Sequence, residues 1–245
     1  MARHAGLVYA RISGWGQTGA RARQPGHDIN YLAATGVLGL IGERGGPPVP
    51  PLNLLADYAG GSLFAAYGIC AALLDGPRRG RGCVVDAAMA DGVLALMTPL
   101  FSLLARGLWS GARGENMLDG GAPWYGVYRT ADGRHLAVGA IEQPFRRAFF
   151  EGLGLSAEYV SACESPAGWP ATRDEIARII VTQDLAHWQQ VYQFQDACVT
   201  PVATLEEVLR DAAFLQRNVL IEDPLLPGLV RPAPAPFVVA GPGLE

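Results

Sequence analysis

The sequence predicts an α/β chain, on three observations. Short apolar runs rich in strand formers, at residues 6–13 and 83–87, are separated by long segments with helical spacing. Two more strand-like runs, at 124–129 and 134–139, flank an Asp-Gly turn, a strong hairpin signal. Half of the 245 residues are hydrophobic and only 17% are charged, enough for the core of one large domain or two small ones.

Residues 6–13 (GLVYARIS) read as a buried strand that runs into GWGQTG at 14–19, formally a GxGxxG. A dinucleotide fingerprint needs a helix to open there, so that its N-terminus holds the pyrophosphate. Arg21, Arg23, Pro25 and Gly26 follow instead, so the segment reads as a loop. Residues 28–41 have helical spacing, with Ile29, Leu32, Ala33, Val37 and Leu40 available to one face and Asp28 or its predecessor as cap. A Pro/Gly connector at 45–51 leads to a second helix, from Asn53 or Leu54 to about Leu74. After a turn at 75–82 come the strand at 83–87 and a long apolar helix over 88–108. Residues 110–121 are Gly-rich and polar and read as an interdomain linker. Beyond the hairpin several helices are expected, at 174–182, 185–194 and 205–211 among them, and after Asn218 the chain is Pro-rich and extended. No internal repeat is apparent.

Composition narrows the function. A net charge of −4 gives no case for nucleic acid or an anionic membrane surface. All 19 basic residues are Arg, and without Lys there is neither Schiff-base chemistry nor a P-loop. Cys70, Cys83, Cys163 and Cys198 have no paired spacing, which fits a reducing, cytoplasmic compartment. The first residues do not resemble a signal peptide. Residues 58–74 are 17 positions without a charge, just short of the ~20 a bilayer needs. Gly60, Gly61, Ala65, Ala66, Gly68, Ala71 and Ala72 in that run predict a tightly packed core helix of a soluble protein rather than a span. His4, His135 and His187 share no ligand spacing, so no metal is expected.

Three ionisable residues stand out by context. His27 opens a predicted helix, Asp57 lies in the first turn of an otherwise uncharged one, and Glu142 closes a strand. A carboxylate near a helix start is favoured by free N–H groups and the dipole. Each also has a plain structural reading: a capping or surface histidine, a first-turn charge, a cap for the next helix.

Order and surroundings add what composition lacks. GHDINY at 26–31, LNLLADYAGG at 52–61, NMLDGGAP at 116–123 and AVGAIE at 137–142 resemble the family III CoA-transferase (CaiB/BaiF) superfamily, and within it the α-methylacyl-CoA racemases. The resemblance runs from about Ala10 to Phe237. It implies 1,1-proton transfer at the α-carbon of a 2-methylacyl-CoA thioester. His27 and Asp57 would exchange the proton on opposite faces, with Asn53 positioning Asp57 and Asp28 supporting His27. Glu142 would hydrogen-bond His27 from the other subunit of an interlocked homodimer, and Tyr31 and Met117 would bind substrate. Backbone N–H groups at the start of the Asp57 helix could serve as oxyanion donors. No metal or redox cofactor is implied, because coenzyme A is part of the acyl-CoA substrate; neither nucleic acid nor membrane is an implied partner.

The fold implied is a partial Rossmann-like large domain with a smaller α+β domain. Residues 1–90 would be the remainder of the large domain, 91–120 a linker helix and loop, 121–204 the small domain and 205–245 a return segment. Members of the superfamily carry a preceding segment of roughly 100 residues, the size of a small domain, with much of the sheet and basic residues that grip coenzyme A. They also have a closing helix beyond the end of this chain. The alternatives are therefore a CoA-transferase that uses Asp57 as nucleophile, or a catalytically incomplete fragment.

Overall fold

The computed structural model of the chain describes residues 4–156, 159–160 and 165–233. Strand β1 (Val8–Ser13) pairs in parallel with β2 (Cys83–Ala88), in register from Val8 opposite Cys83 to Ser13 opposite Ala88. A parallel pair needs a long crossover. Here it consists of α1 (Asp28–Thr35), α2 (Val37–Leu40), a π-helix (Leu54–Leu63) and α3 (Phe64–Arg79). The helix expected over 28–41 is divided at Gly36, whose φ of 87° is left-handed and turns the chain between α1 and α2. The GWGQTG segment is a loop, with Gly16 and Gly19 at positive φ and no helix opening before Asp28.

The second expected helix runs from Leu54 to Arg79, and its first ten residues take the wider π pitch. Beside it, α4 (Met89–Leu96) crosses so closely that a Cβ on Gly92 would collide with the Gly60 backbone. Tyr31, Leu32, Ala56, Ala90 and Val93 form the core where α1, the π-helix and α4 meet. The apolar stretch Leu54–Gly76 is long enough and apolar enough to cross a membrane, yet only 22% of its apolar window is buried. Leu63, Tyr67, Leu73 and Leu74 lie exposed, so the expected core helix is buried on one side only. The long helix expected over 88–108 breaks at Met97 into α4 and α5 (Thr98–Ala105), with Pro99 in the first turn of α5.

Residues 110–121, expected as a linker, form a loop tied by its own hydrogen bonds. Asp119 Oδ1 accepts from the backbone of Asn116 and Gly121, and Oδ2 from the backbone of Gly114 and the amide of Asn116. The Asn116 side chain also bonds the Ser110 N–H and the Ala112 carbonyl. Arg113 donates to the carbonyls of Gly39, Glu43 and Gly46, which fastens this loop to the segment after α2.

The following unit is an antiparallel sheet of β3 (Tyr125–Arg129), β4 (His135–Gly139) and β5 (Val199–Pro201), with β4 in the middle. Gly133 supplies the positive φ of the expected hairpin turn. Helices α6 (Gln143–Gly152), α7 (Trp169–Ile180) and α8 (Leu185–Tyr192) cover it. Pro170 in its first turn lets α7 begin five residues before the expected Asp174. Trp124, Leu136, Phe149, Phe150, Ile176, Ile180 and Trp188 anchor its core. Short helices α9 (Leu205–Val208) and α10 (Ala212–Gln216) follow, and the segment expected as extended carries a small hairpin, β6 (Leu220–Glu222) with β7 (Val230–Pro232).

Candidate active site

The site is built where the N-terminal ends of α1 and the π-helix come together. His27 is the N-cap of α1; its backbone N–H donates to Asn30 Oδ1 at 3.0 Å, and its side chain stands exposed at the helix mouth. Asp28, next along, is 4% exposed and turns the other way. Its Oδ2 accepts the N–H groups of Ala56 at 2.7 Å and Asp57 at 2.9 Å, so it caps the π-helix from outside. Its Oδ1 is buried and has no hydrogen-bond partner among the described residues.

This placement alters two expectations. Asp28 serves the Asp57 helix rather than His27, because its carboxylate satisfies two amide donors that no intrahelical carbonyl can reach. The same bonds occupy two of the N–H groups at the start of the Asp57 helix, where the sequence reading placed oxyanion donors: those of Ala56 and Asp57. Asp57 itself is half-buried, and Asn53 Nδ2, one turn earlier, donates to its Oδ2 at 3.1 Å.

Tyr31 stands behind the site. It is 6% exposed, and its hydroxyl donates to the Gly26 carbonyl at 2.6 Å, which fixes the chain one residue before His27. Burial raises the phenol's pKa, and the nearby Asp57 carboxylate raises it further. Tyr31, expected to bind substrate, packs as a buried frame: side chains on Gly14 or Gly26 would collide with its ring. Trp15, which the sequence reading passed over, meets that ring edge-on at 4.8 Å and carries the Arg21 guanidinium over its own face at 5.1 Å.

Glu142 is the exposed N-cap of α6. Among the described residues it makes no hydrogen bond or ion pair with His27 within the chain, so one copy does not bring the two together. Met117 is 38% exposed on the tied loop, beside Leu118, which lines a cavity of about 1030 Å³. That cavity lies between α2, the tied loop and β3, and none of His27, Asp57 and Glu142 lines it. Two further residues went unread in the sequence, Asn30 and Arg146. The first was detectable as a polar residue three positions after a cap; the second carries no such signal.

Among the described residues no cluster of His, Cys, Asp or Glu is placed to hold a metal ion. Cys70, Cys83 and Cys198 are free thiols, and Cys163 lies outside the described residues. Chemically, the arrangement offers one imidazole and one carboxylate on adjoining helix ends, tied together by the residue between them.

Comparison with known proteins adds to this geometry. The family description CoA-transferase family III matches residues 1–235. The α-methylacyl-CoA racemases of Mus musculus and Homo sapiens are each 45% identical over 238 residues, 97% of this chain. A CaiB/BaiF CoA-transferase family protein of Caenorhabditis elegans is 35% identical over 217 residues. The chain spans 62% of the length of each of these relatives. A CaiB/BaiF family protein from Brucella suis shares the fold, with a TM-score of 0.72 at 22% identity over 96% of this chain and 62% of that one.

Proposed function

The chain belongs to CoA-transferase family III, and on that premise we propose that it interconverts the (R) and (S) epimers of 2-methylacyl-CoA thioesters. The observation that carries this reading is the Asp28 tie: the residue next to His27 bonds the Asp57 amide directly, which joins the two helix ends that carry residues 27 and 57. The 45% identity to two racemases supports the choice of reaction.

The α-proton beside a thioester is only weakly acidic, so the reaction needs a base on one face, an acid on the other and stabilisation of the enolate between them. In one direction neutral His27 removes the proton while protonated Asp57 delivers its own to the opposite face. In the other, the Asp57 carboxylate removes it and the His27 imidazolium delivers. The two groups begin each direction in opposite protonation states: an exposed imidazole at one helix mouth, a half-buried carboxylate held by Asn53 at the other. No oxidation state changes, so the reaction asks for no redox cofactor. Glu142 orients the His27 ring from a second copy of the chain in an interlocked dimer; its exposure at the start of α6 leaves it open to such a contact. The parallel β1–β2 pair is then part of a Rossmann-like sheet.

The test is deuterium uptake at the α-carbon of a single epimer of a 2-methylacyl-CoA in D₂O. Uptake that disappears in both His27→Ala and Asp57→Ala is the expected result. Absence of uptake by the folded wild-type chain overturns it. Transfer of CoA to an added carboxylate, surviving His27→Ala but not Asp57→Ala, would assign Asp57 the role of nucleophile instead.

A further inference from the structure

We propose that Arg146 is a positioning residue that fixes the direction of the Glu142 side chain. The inference rests on the reading of Glu142 as the partner of His27. Residues 139–146 turn sharply from β4 into α6, and Glu142 sits at the corner with φ −77° and ψ 147°. Those two angles are set by the peptide planes on either side of it: the Arg146 side chain holds the first, and the first backbone hydrogen bond of α6, which any residue at 146 would make, holds the second. Arg146 Nη2 donates to the Ile141 carbonyl at 2.6 Å, and its backbone N–H donates to the Glu142 carbonyl at 2.9 Å.

The guanidinium is itself held. It lies 3.5 Å from the centroid of the Trp124 ring, which is 3% exposed and stacked edge-on against Trp169 at 5.5 Å. The Trp124 carbonyl in turn accepts the Ala140 N–H at 2.9 Å, so the same tryptophan fixes the end of the strand and the cation that grips the corner. A planar guanidinium stacks on an indole and donates sideways in the same pose, which an ammonium does not do. Glu142 is otherwise exposed, and a free glutamate samples several rotamers and backbone angles. Clamping its backbone leaves only side-chain torsions to set before it meets an imidazole.

The test is a double-mutant cycle on α-deuterium exchange with Arg146→Met, Glu142→Gln and the pair. Arg146→Met is expected to lower kcat about tenfold, leave KM within about twofold, and move the limb of the pH–rate profile set by His27. Added to Glu142→Gln, it is expected to lower kcat little further. A purely structural role would lower the melting temperature and multiply the two losses, and such additivity overturns the proposal. If Arg146→Met does not fold, Arg146→Lys enters the same cycle, with coupling supporting and additivity overturning it. Should wild type show no exchange, the racemase reading falls, and the Arg146 assignment is read separately from the ¹³C carboxyl resonance of Glu142. A changed shift and titration in Arg146→Met or Arg146→Lys supports it; resonances identical to wild type overturn it.

Discussion

Asp28 accepts the backbone N–H of Asp57 at 2.9 Å across 29 positions of sequence, and through that bond two helix ends become one site. The carboxylate sits in the protein's interior, and what it holds is the main chain rather than another side chain. The order of the motif matters here. His27 faces solvent because its neighbour faces the core, as consecutive residues at a helix start must diverge.

Removing that carboxylate is expected to be felt twice. Asp28→Ala leaves one buried and one half-buried amide donor unpaired and should lower stability by about 1–3 kcal/mol, read from urea unfolding. The Asp57 turn then loosens, and α-deuterium exchange is expected to fall by about 10²-fold or more.

Asn53→Ala separates positioning from folding. The bond to Asp57 Oδ2 lies at an exposed helix start, so stability should change by less than about 0.5 kcal/mol. Exchange should fall by about tenfold, with the loss in kcat rather than KM, as steady-state kinetics would report.

The crossing of α4 over the π-helix allows no side chain at Gly92. In Gly92→Ala the new methyl meets the Gly60 backbone, which has no rotamer to yield. A loss of about 1–3 kcal/mol is expected, measured by thermal or urea unfolding, although alanine is the better helix former.

The Arg134–Glu207 pair sets an acid dependence. The Arg134 hydrogen bond, then the Thr204 backbone N–H, hold the Glu207 carboxyl below its ordinary value of 4.5. A depressed folded pKa stabilises above the unfolded value and loses that contribution as pH falls through the folded one. Arg134→Met is therefore expected to destabilise near neutral pH and to converge on wild type as pH falls through the depressed Glu207 pKa, by urea midpoints across pH; the pair is exposed, so the gap is small.

Much of the site is legible in one dimension. Asn53 and Asp57 stand four apart, a spacing that places them on one helical face, and the structure has them bonded. The hairpin announced itself in Asp132-Gly133, and the breaker Gly36 explains why one expected helix became two. Other features depend on partners distant in sequence. Nothing near Asp28 says that its oxygen belongs to residues 56 and 57. Residues 110–121 looked like a linker because Asn, Asp and Gly are turn formers; in three dimensions Asn116 and Asp119 satisfy the backbone donors of the loop and make it rigid. Nor does apolar periodicity distinguish α from π pitch across ten residues, since glycines and alanines tolerate either.

The π-helix at Leu54–Leu63 makes the number of residues there as consequential as their identity. Each residue of an α-helix advances the direction of the next by about 100°, and a π turn holds back part of that advance. The segment thus acts as a phase adjuster between a reactive end, which must point at Asp28, and α3, which must keep its buried side against β2. Deleting one residue between Tyr58 and Leu63 would let the turns relax toward α pitch and swing Asp57 around the axis relative to α3. A chain so altered would keep every side chain of the site and lose the aim of one of them.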